Sequence, residues 1–81
     1  MTNEEISEAV KKNIAELLEA PYVRMEDLLA DDLGADSLDM VEIAMRMEDV
    51  FGIEVLDTEM NSAKTVAEWI AMVERKVSEN G

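Results

Sequence analysis

"ADSLDMVEIAMRMEDVFG", residues 35–52, reads as a single helix with both ends marked. Asp36 can accept from the unpaired N–H groups of a first turn, Ser37 opens the helix, and Gly52 follows Phe51 where a left-handed residue closes helices. At about 100° per residue, Met40, Ile43, Ala44, Met47, Val50 and Phe51 cluster within about 120°, an ordinary core-facing stripe. Leu38, Val41 and Met45 lie opposite, within about 60° of one another. One helix of a small bundle cannot be buried on both sides, so this second stripe is expected to face solvent. Glu42, Glu48 and Asp49 flank it. Exposed apolar residues ringed by carboxylates describe a docking ridge better than a plain solvated face.

Three further helical patterns surround this one. "TNEE" at residues 2–5 has the form of a capping box, and Ile6, Val10, Ile14, Leu17 and Leu18 follow on one face until Pro21. A short helix is expected over residues 57–62. The last begins after Thr65, where "TVAE" gives a second capping box, with Val66, Trp69, Ile70, Val73 and Val77 inward and fraying expected through "SENG". Residues 20–36 form a long connection whose Leu28, Leu29 and Leu33 are too apolar for a free linker, so it is expected to pack across the bundle. Gly34 within it supplies a backbone conformation that a residue with a Cβ resists. The expectation is one all-α domain over residues 1–81, a small four-helix bundle with three longer helices and a short third.

Composition narrows the function. The 81 residues include no cysteine and no histidine, which removes thiol nucleophiles, thiolate metal sites, the usual neutral-pH base and the commonest zinc ligand. No metal site and no catalytic residue are expected. The N-terminus is acidic and amphipathic, and no apolar run approaches a membrane span, so a soluble, cytoplasmic protein is the default. The net charge is −13, and its distribution is uneven: residues 26–59 hold twelve acids against Arg46 alone. Such a middle repels nucleic acids and anionic membranes. It attracts basic partners, mostly within a Debye length of about 8 Å at physiological salt.

Ser37 is then a hydroxyl at a helix N-terminus with no base beside it. Asp36 can cap, so the hydroxyl is not needed for that. A phosphate ester on it would lie beside unpaired N–H groups and the positive end of the helix dipole. Unable to attack anything unaided, it reads as an acceptor that another enzyme modifies.

"DLGADSLD" with the following "VE" resembles the attachment motif of acyl carrier proteins. The likeness extends through "AVKKNIAELL", "FGIEV" and "KTVAEWI" over nearly the whole chain. The resemblance implies that Ser37, flanked by Asp36 and Leu38, carries 4′-phosphopantetheine transferred from coenzyme A by a separate Mg²⁺-dependent transferase. It implies a monomeric, non-catalytic carrier that delivers acyl thioesters to enzymes of fatty acid or related lipid or polyketide biosynthesis. Those enzymes would bring Arg and Lys to Asp39, Val41, Glu42, Met45, Glu48 and Asp49, in docking that is transient and salt-sensitive. It also implies an acyl pocket lined by Met47, Val55, Met60, Ala63 and Ile70.

The chain departs from the family pattern at several positions. Leu56 stands where proline is usual, Met40 where threonine is common, and Arg46 puts a cation beside the ridge, where it is expected to weaken binding to a basic patch. The connection before Ser37 is about two residues short. These departures point towards a specialised carrier. An aminoacyl or peptidyl carrier and an acidic adaptor without a prosthetic group stay open as alternatives. An EF-hand is not supported: Asp31 and Glu42 have its first-to-twelfth spacing, but Leu33 and Ala35 occupy ligand positions and Asp36 replaces the glycine.

Overall fold

The three longer helices start where nearby side chains or carbonyls take up early N–H groups, and the computed structural model, which describes residues 1–80, shows four helices in all. They are α1 (Asn3–Leu18), α2 (Ser37–Phe51), α3 (Asp57–Ser62) and α4 (Val66–Asn80). At α1, Thr2 Oγ1 accepts from the Glu5 N–H (3.1 Å), and the Glu5 carboxylate accepts from the Thr2 N–H (2.8 Å). At α4, Thr65 and Glu68 exchange the same pair of bonds at 3.1 and 2.9 Å, and Glu68 also accepts from the Lys64 N–H at 2.8 Å. Each such cap stabilises its helix by about 1 kcal/mol. The helix expected to fray through "SENG" instead runs to Asn80, with Gly81 outside the described residues.

The core lies where α1 packs against both α2 and α4. Ile6, Val10 and Ile14 meet Ile43, Ala44 and Met47 of α2 and Val66, Trp69, Ile70, Met72 and Val73 of α4, all buried. Leu17, Leu18 and Val77 are only half-buried at the edges of that layer. One residue assigned to the core on periodicity is not there: Val50 is 45 % exposed. It sits at the edge of the α2 stripe, about 60° from its centre, on the last turn, where Met47 takes the inward position.

The connection does pack, though not through all three leucines. Leu29 is buried and Leu33 half-buried, while Leu28 stays at the surface because its backbone, not its side chain, makes the contact. Leu28 pairs with Thr65 in an isolated antiparallel bridge, and the Leu29 N–H donates to the Lys64 carbonyl (3.0 Å). The carbonyls of Asp27 and Met25 accept from the N–H groups of Val66 (3.1 Å) and Ala67 (2.9 Å). Those two donors open α4 and have no acceptor inside it. The loop thus finishes the cap of a helix about forty residues further on. Asp27 is the one buried charged residue among those described; its carboxylate accepts from the Arg24 N–H (2.8 Å) and lies 3.4 Å from the Arg24 guanidinium.

Two helices end on left-handed backbone, and one of them does so without glycine. Gly52 ends α2 at φ +64°, whereas α1 ends on Glu19 at φ +55°. A left-handed residue with a Cβ costs about 1–2 kcal/mol. Short α3 buries no side chain fully. It is held by Glu59, which bonds Lys76 (2.7 Å) and Arg75 (2.9 Å) on α4 and accepts from the Leu56 N–H (3.0 Å).

Candidate functional site around Ser37

The stretch before α2 folds into successive turns that deliver its first residue to the surface. The N–H groups of Asp32 and Leu33 both donate to the Leu28 carbonyl, Gly34 donates to Ala30, and Ala35 to Leu29 (2.8–3.1 Å). The Asp32 carboxylate closes the set by accepting from the Leu28 N–H (2.8 Å). Gly34 stands at φ +73° with open space around it, so its glycine answers to backbone conformation and not to crowding. Ala35 is buried and anchors the end of the run.

Asp36 caps α2 as the sequence suggests, but with a partner it did not indicate. The Asp36 carboxylate accepts from the Asp39 N–H (2.9 Å), and the Asp39 carboxylate accepts from the Asp36 N–H (3.1 Å). Asp39, assigned to the docking face, is half-buried and occupied in this exchange. Ser37 is exposed, and among the described residues its hydroxyl makes no hydrogen bond. The Ser37 and Leu38 N–H groups have no acceptor within the helix, as at any first turn. An accessible alcohol beside two unpaired donors and a helix N-terminus suits a phosphodiester.

The outer face of α2 is open. Leu38 is 65 % exposed, Met45 58 % and Val41 41 %, with Glu42 and Asp49 exposed beside them. Glu48 is different: its carboxylate accepts from the Val55 N–H (2.9 Å), fixing the turn after α2, so it is only half-exposed. Arg46 does not stand beside the ridge as a loose cation. It folds onto α1, where its guanidinium donates to Asn13 Oδ1 (3.1 Å) and lies 3.6 Å from the Glu16 carboxylate. Asn13 is oriented for this by donating to the Ala9 carbonyl (2.7 Å).

A cleft of about 360 Å³ lies between the connection, α2 and α3, reaching α2 at Met40, one turn on from Ser37. Leu28, Leu29, Met40, Met60 and Ala63 supply its apolar lining, with Asp31, Asn61 and Lys64 as polar members. Met40 joins it because positions three apart share a helix face, a spacing from Ser37 legible in the sequence. Of the five residues expected to line an acyl pocket, Met60 and Ala63 are here. Met47 and Ile70 are sealed in the core, since the α2 and α4 stripes are already used against α1, and Val55 is half-buried outside the cleft. Two of the larger depressions, one around Tyr22 and one between α3 and α4, are more open and include charged residues in their linings. Among the described residues no helix is long and apolar enough to cross a membrane.

Comparison with known proteins agrees with this arrangement. Residues 8–73 match the family model for a phosphopantetheine attachment site, which defines the class as a small helical domain that bears a covalent arm. The chain is 40 % identical over 78 residues to an acyl carrier protein of Thermotoga maritima, covering 94 % of this chain and 96 % of that one. It is 38 % identical over 76 residues to the acyl carrier protein of Solidesulfovibrio magneticus, covering 91 % and 97 %. The fold superposes on a crystal structure of a Thermotoga maritima acyl carrier protein with a TM-score of 0.82 at 23 % identity, covering 98 % of this chain and 94 % of that one. The chain belongs to the acyl carrier protein family, whose cofactor is covalently attached 4′-phosphopantetheine.

Proposed function

We propose that Ser37 is the attachment point of 4′-phosphopantetheine and that the chain is a non-catalytic, monomeric, cytoplasmic carrier of acyl groups. The observation that carries this reading is the exposed Ser37 hydroxyl, left without a hydrogen bond because Asp36 and Asp39 cap the helix without it. When attached, the arm supplies a terminal thiol that holds an acyl group as a thioester, chemistry that a chain without cysteine does not otherwise have. The Ser37 and Leu38 N–H groups favour the phosphodiester's negative charge. Leu38, Val41 and Met45, with Glu42 and Asp49, form the surface for the phosphopantetheinyl transferase and for acyl-transferring and chain-elongating enzymes with basic patches. The cleft lined by Met40, Met60 and Ala63 shelters the first part of the cargo from water.

The test is intact mass after incubation with coenzyme A and a broad-specificity phosphopantetheinyl transferase. One added phosphopantetheine unit is expected on the parent chain and none on Ser37→Ala. An unchanged parent mass, or a modified Ser37→Ala chain, overturns the assignment.

A further inference from the structure

The carboxylates around the α2 ridge are not equally free. Glu42 and Asp49 are exposed and lie about 45–70° to one side of its centre. Glu48, about 55° to the other side, is spent on the Val55 N–H (2.9 Å). On that side the next carboxylates are Glu54 and Asp57, both exposed, whose side chains make no hydrogen bond or ion pair among the described residues. Between them in sequence stands Leu56, 50 % exposed.

Leu56 is an exposed leucine on a fixed support. The Val55 N–H is bound to α2 through Glu48, which sets the chain against that flank of the helix. The Leu56 N–H donates to the Glu59 carboxylate (3.0 Å), and its carbonyl accepts from the Met60 N–H (2.9 Å). Glu59 is itself held by Lys76 and Arg75 of α4. A side chain carried on ordered backbone gives up little freedom when it is covered, so more of its burial is realised as affinity. Its place along α2 also matters. Glu48 is eleven residues beyond Ser37, about 16 Å down the helix axis. The transferase has to reach the Ser37 hydroxyl itself and so seats at the N-terminal end of α2. An enzyme that works on the thioester at the far end of the arm stands back from Ser37 and is free to cover the other end.

We infer that Leu56, framed by Glu54 and Asp57, is a second anchor of the docking face, received by an apolar socket bordered by Arg or Lys on enzymes that act on the thioester, and not used by the transferase. The inference rests on the attachment reading and deepens it: the two ends of α2 serve two classes of partner. Negative charge on this flank attracts the same basic surfaces as Glu42 and Asp49 do. The ridge and Leu56 then present apolar side chains inside one ring of carboxylates.

The probe is a purified carbon–carbon-bond-forming elongating enzyme of the host, titrated with the full chain carrying its arm. Leu56→Ala keeps the backbone bonds of the turn, and thermal melts check the fold. It is expected to weaken binding about tenfold, the scale of one leucine side chain left uncovered, with Leu56→Met restoring most of the loss. Glu54→Gln combined with Asp57→Asn is expected to weaken binding and to flatten its dependence on salt. The rate of pantetheinylation at Ser37 is expected to stay within about twofold of the parent in every variant. Binding of Leu56→Ala within about twofold of the parent overturns the inference, as does a parent that the enzyme does not bind, or an equal loss of pantetheinylation. A parent that dimerises in sedimentation and loses the dimer on Leu56→Ala gives the patch to a second copy and also overturns it. Each of these results leaves attachment standing, whereas failure to load at Ser37 overturns both.

Discussion

Asp36 and Asp39 cap one another across the first turn of α2, each carboxylate accepting from the other's N–H at 2.9 and 3.1 Å, with Ser37 between them. The division of labour has a measurable form. Asp36→Ala removes the cap and is expected to cost about 1 kcal/mol. For a domain of this size that lowers the thermal midpoint by about 4–8 °C. Ser37→Ala touches no hydrogen bond and is expected to stay within about 0.5 kcal/mol of the parent. Equal losses in the two melts would show that the serine shares the capping.

Glu19 closes α1 in the left-handed region at φ +55°, and it places a negative charge at a helix C-terminus. Both are unfavourable. Glu19→Gly relieves the strain while adding some backbone freedom to the unfolded chain. A net gain of about 0.5–1 kcal/mol is expected in urea unfolding. A loss would mean that the Glu19 side chain makes a contribution its exposed position does not suggest.

The response to acid follows from three capping carboxylates. Glu59 is held below its ordinary value first by its bond to the Lys76 ammonium and then by the Leu56 N–H. Glu68 is lowered by the N–H groups of Thr65 and Lys64, and Glu5 by the N–H and hydroxyl of Thr2. A carboxyl depressed in the folded state contributes fully above its unfolded value and loses that contribution as pH falls through the folded value. Melts of Glu59→Gln are expected to decline less between about pH 5 and about pH 3 than those of the parent. Parallel declines would remove Glu59 from the account.

Arg46 donates to Asn13 and neighbours Glu16, so its charge is turned towards α1 and partly offset there. Arg46→Gln is expected to destabilise the fold by no more than about 1 kcal/mol, as suits a partly exposed pair. Its effect on affinity for the transferase, read by titration at physiological salt, is expected to stay within about twofold. A large gain in affinity would place the guanidinium back at the ridge.

Local chemistry was the legible part of this chain. Thr2 with Glu5, Asp36, Gly52, and Thr65 with Glu68 mark helix ends through bonds made within three or four residues, and α2 has the boundaries those signals give. The exposure of Leu38, Val41 and Met45 followed from helical geometry alone. Contacts distant in sequence carried no such mark. Nothing in the order of residues announces that Glu48 accepts from Val55, that Arg46 bends to Asn13, or that Asp27 and Met25 receive the N–H groups of Val66 and Ala67. The cleft lining was misplaced for a related reason. Met47 and Ile70 were assigned by family likeness, whereas the space actually left open depends on which stripes α1 covers.

The seam between the connection and α4 is made of main-chain atoms, with Asp27 and Met25 receiving Val66 and Ala67. Peptide groups are common to every residue, so drift in the side chains at 24–26 leaves this fastening intact. What it does not tolerate is an imino acid at 66 or 67, which deletes the donor outright. The segment is therefore free to vary its outward chemistry, and with it the company the molecule keeps, while remaining stitched in place.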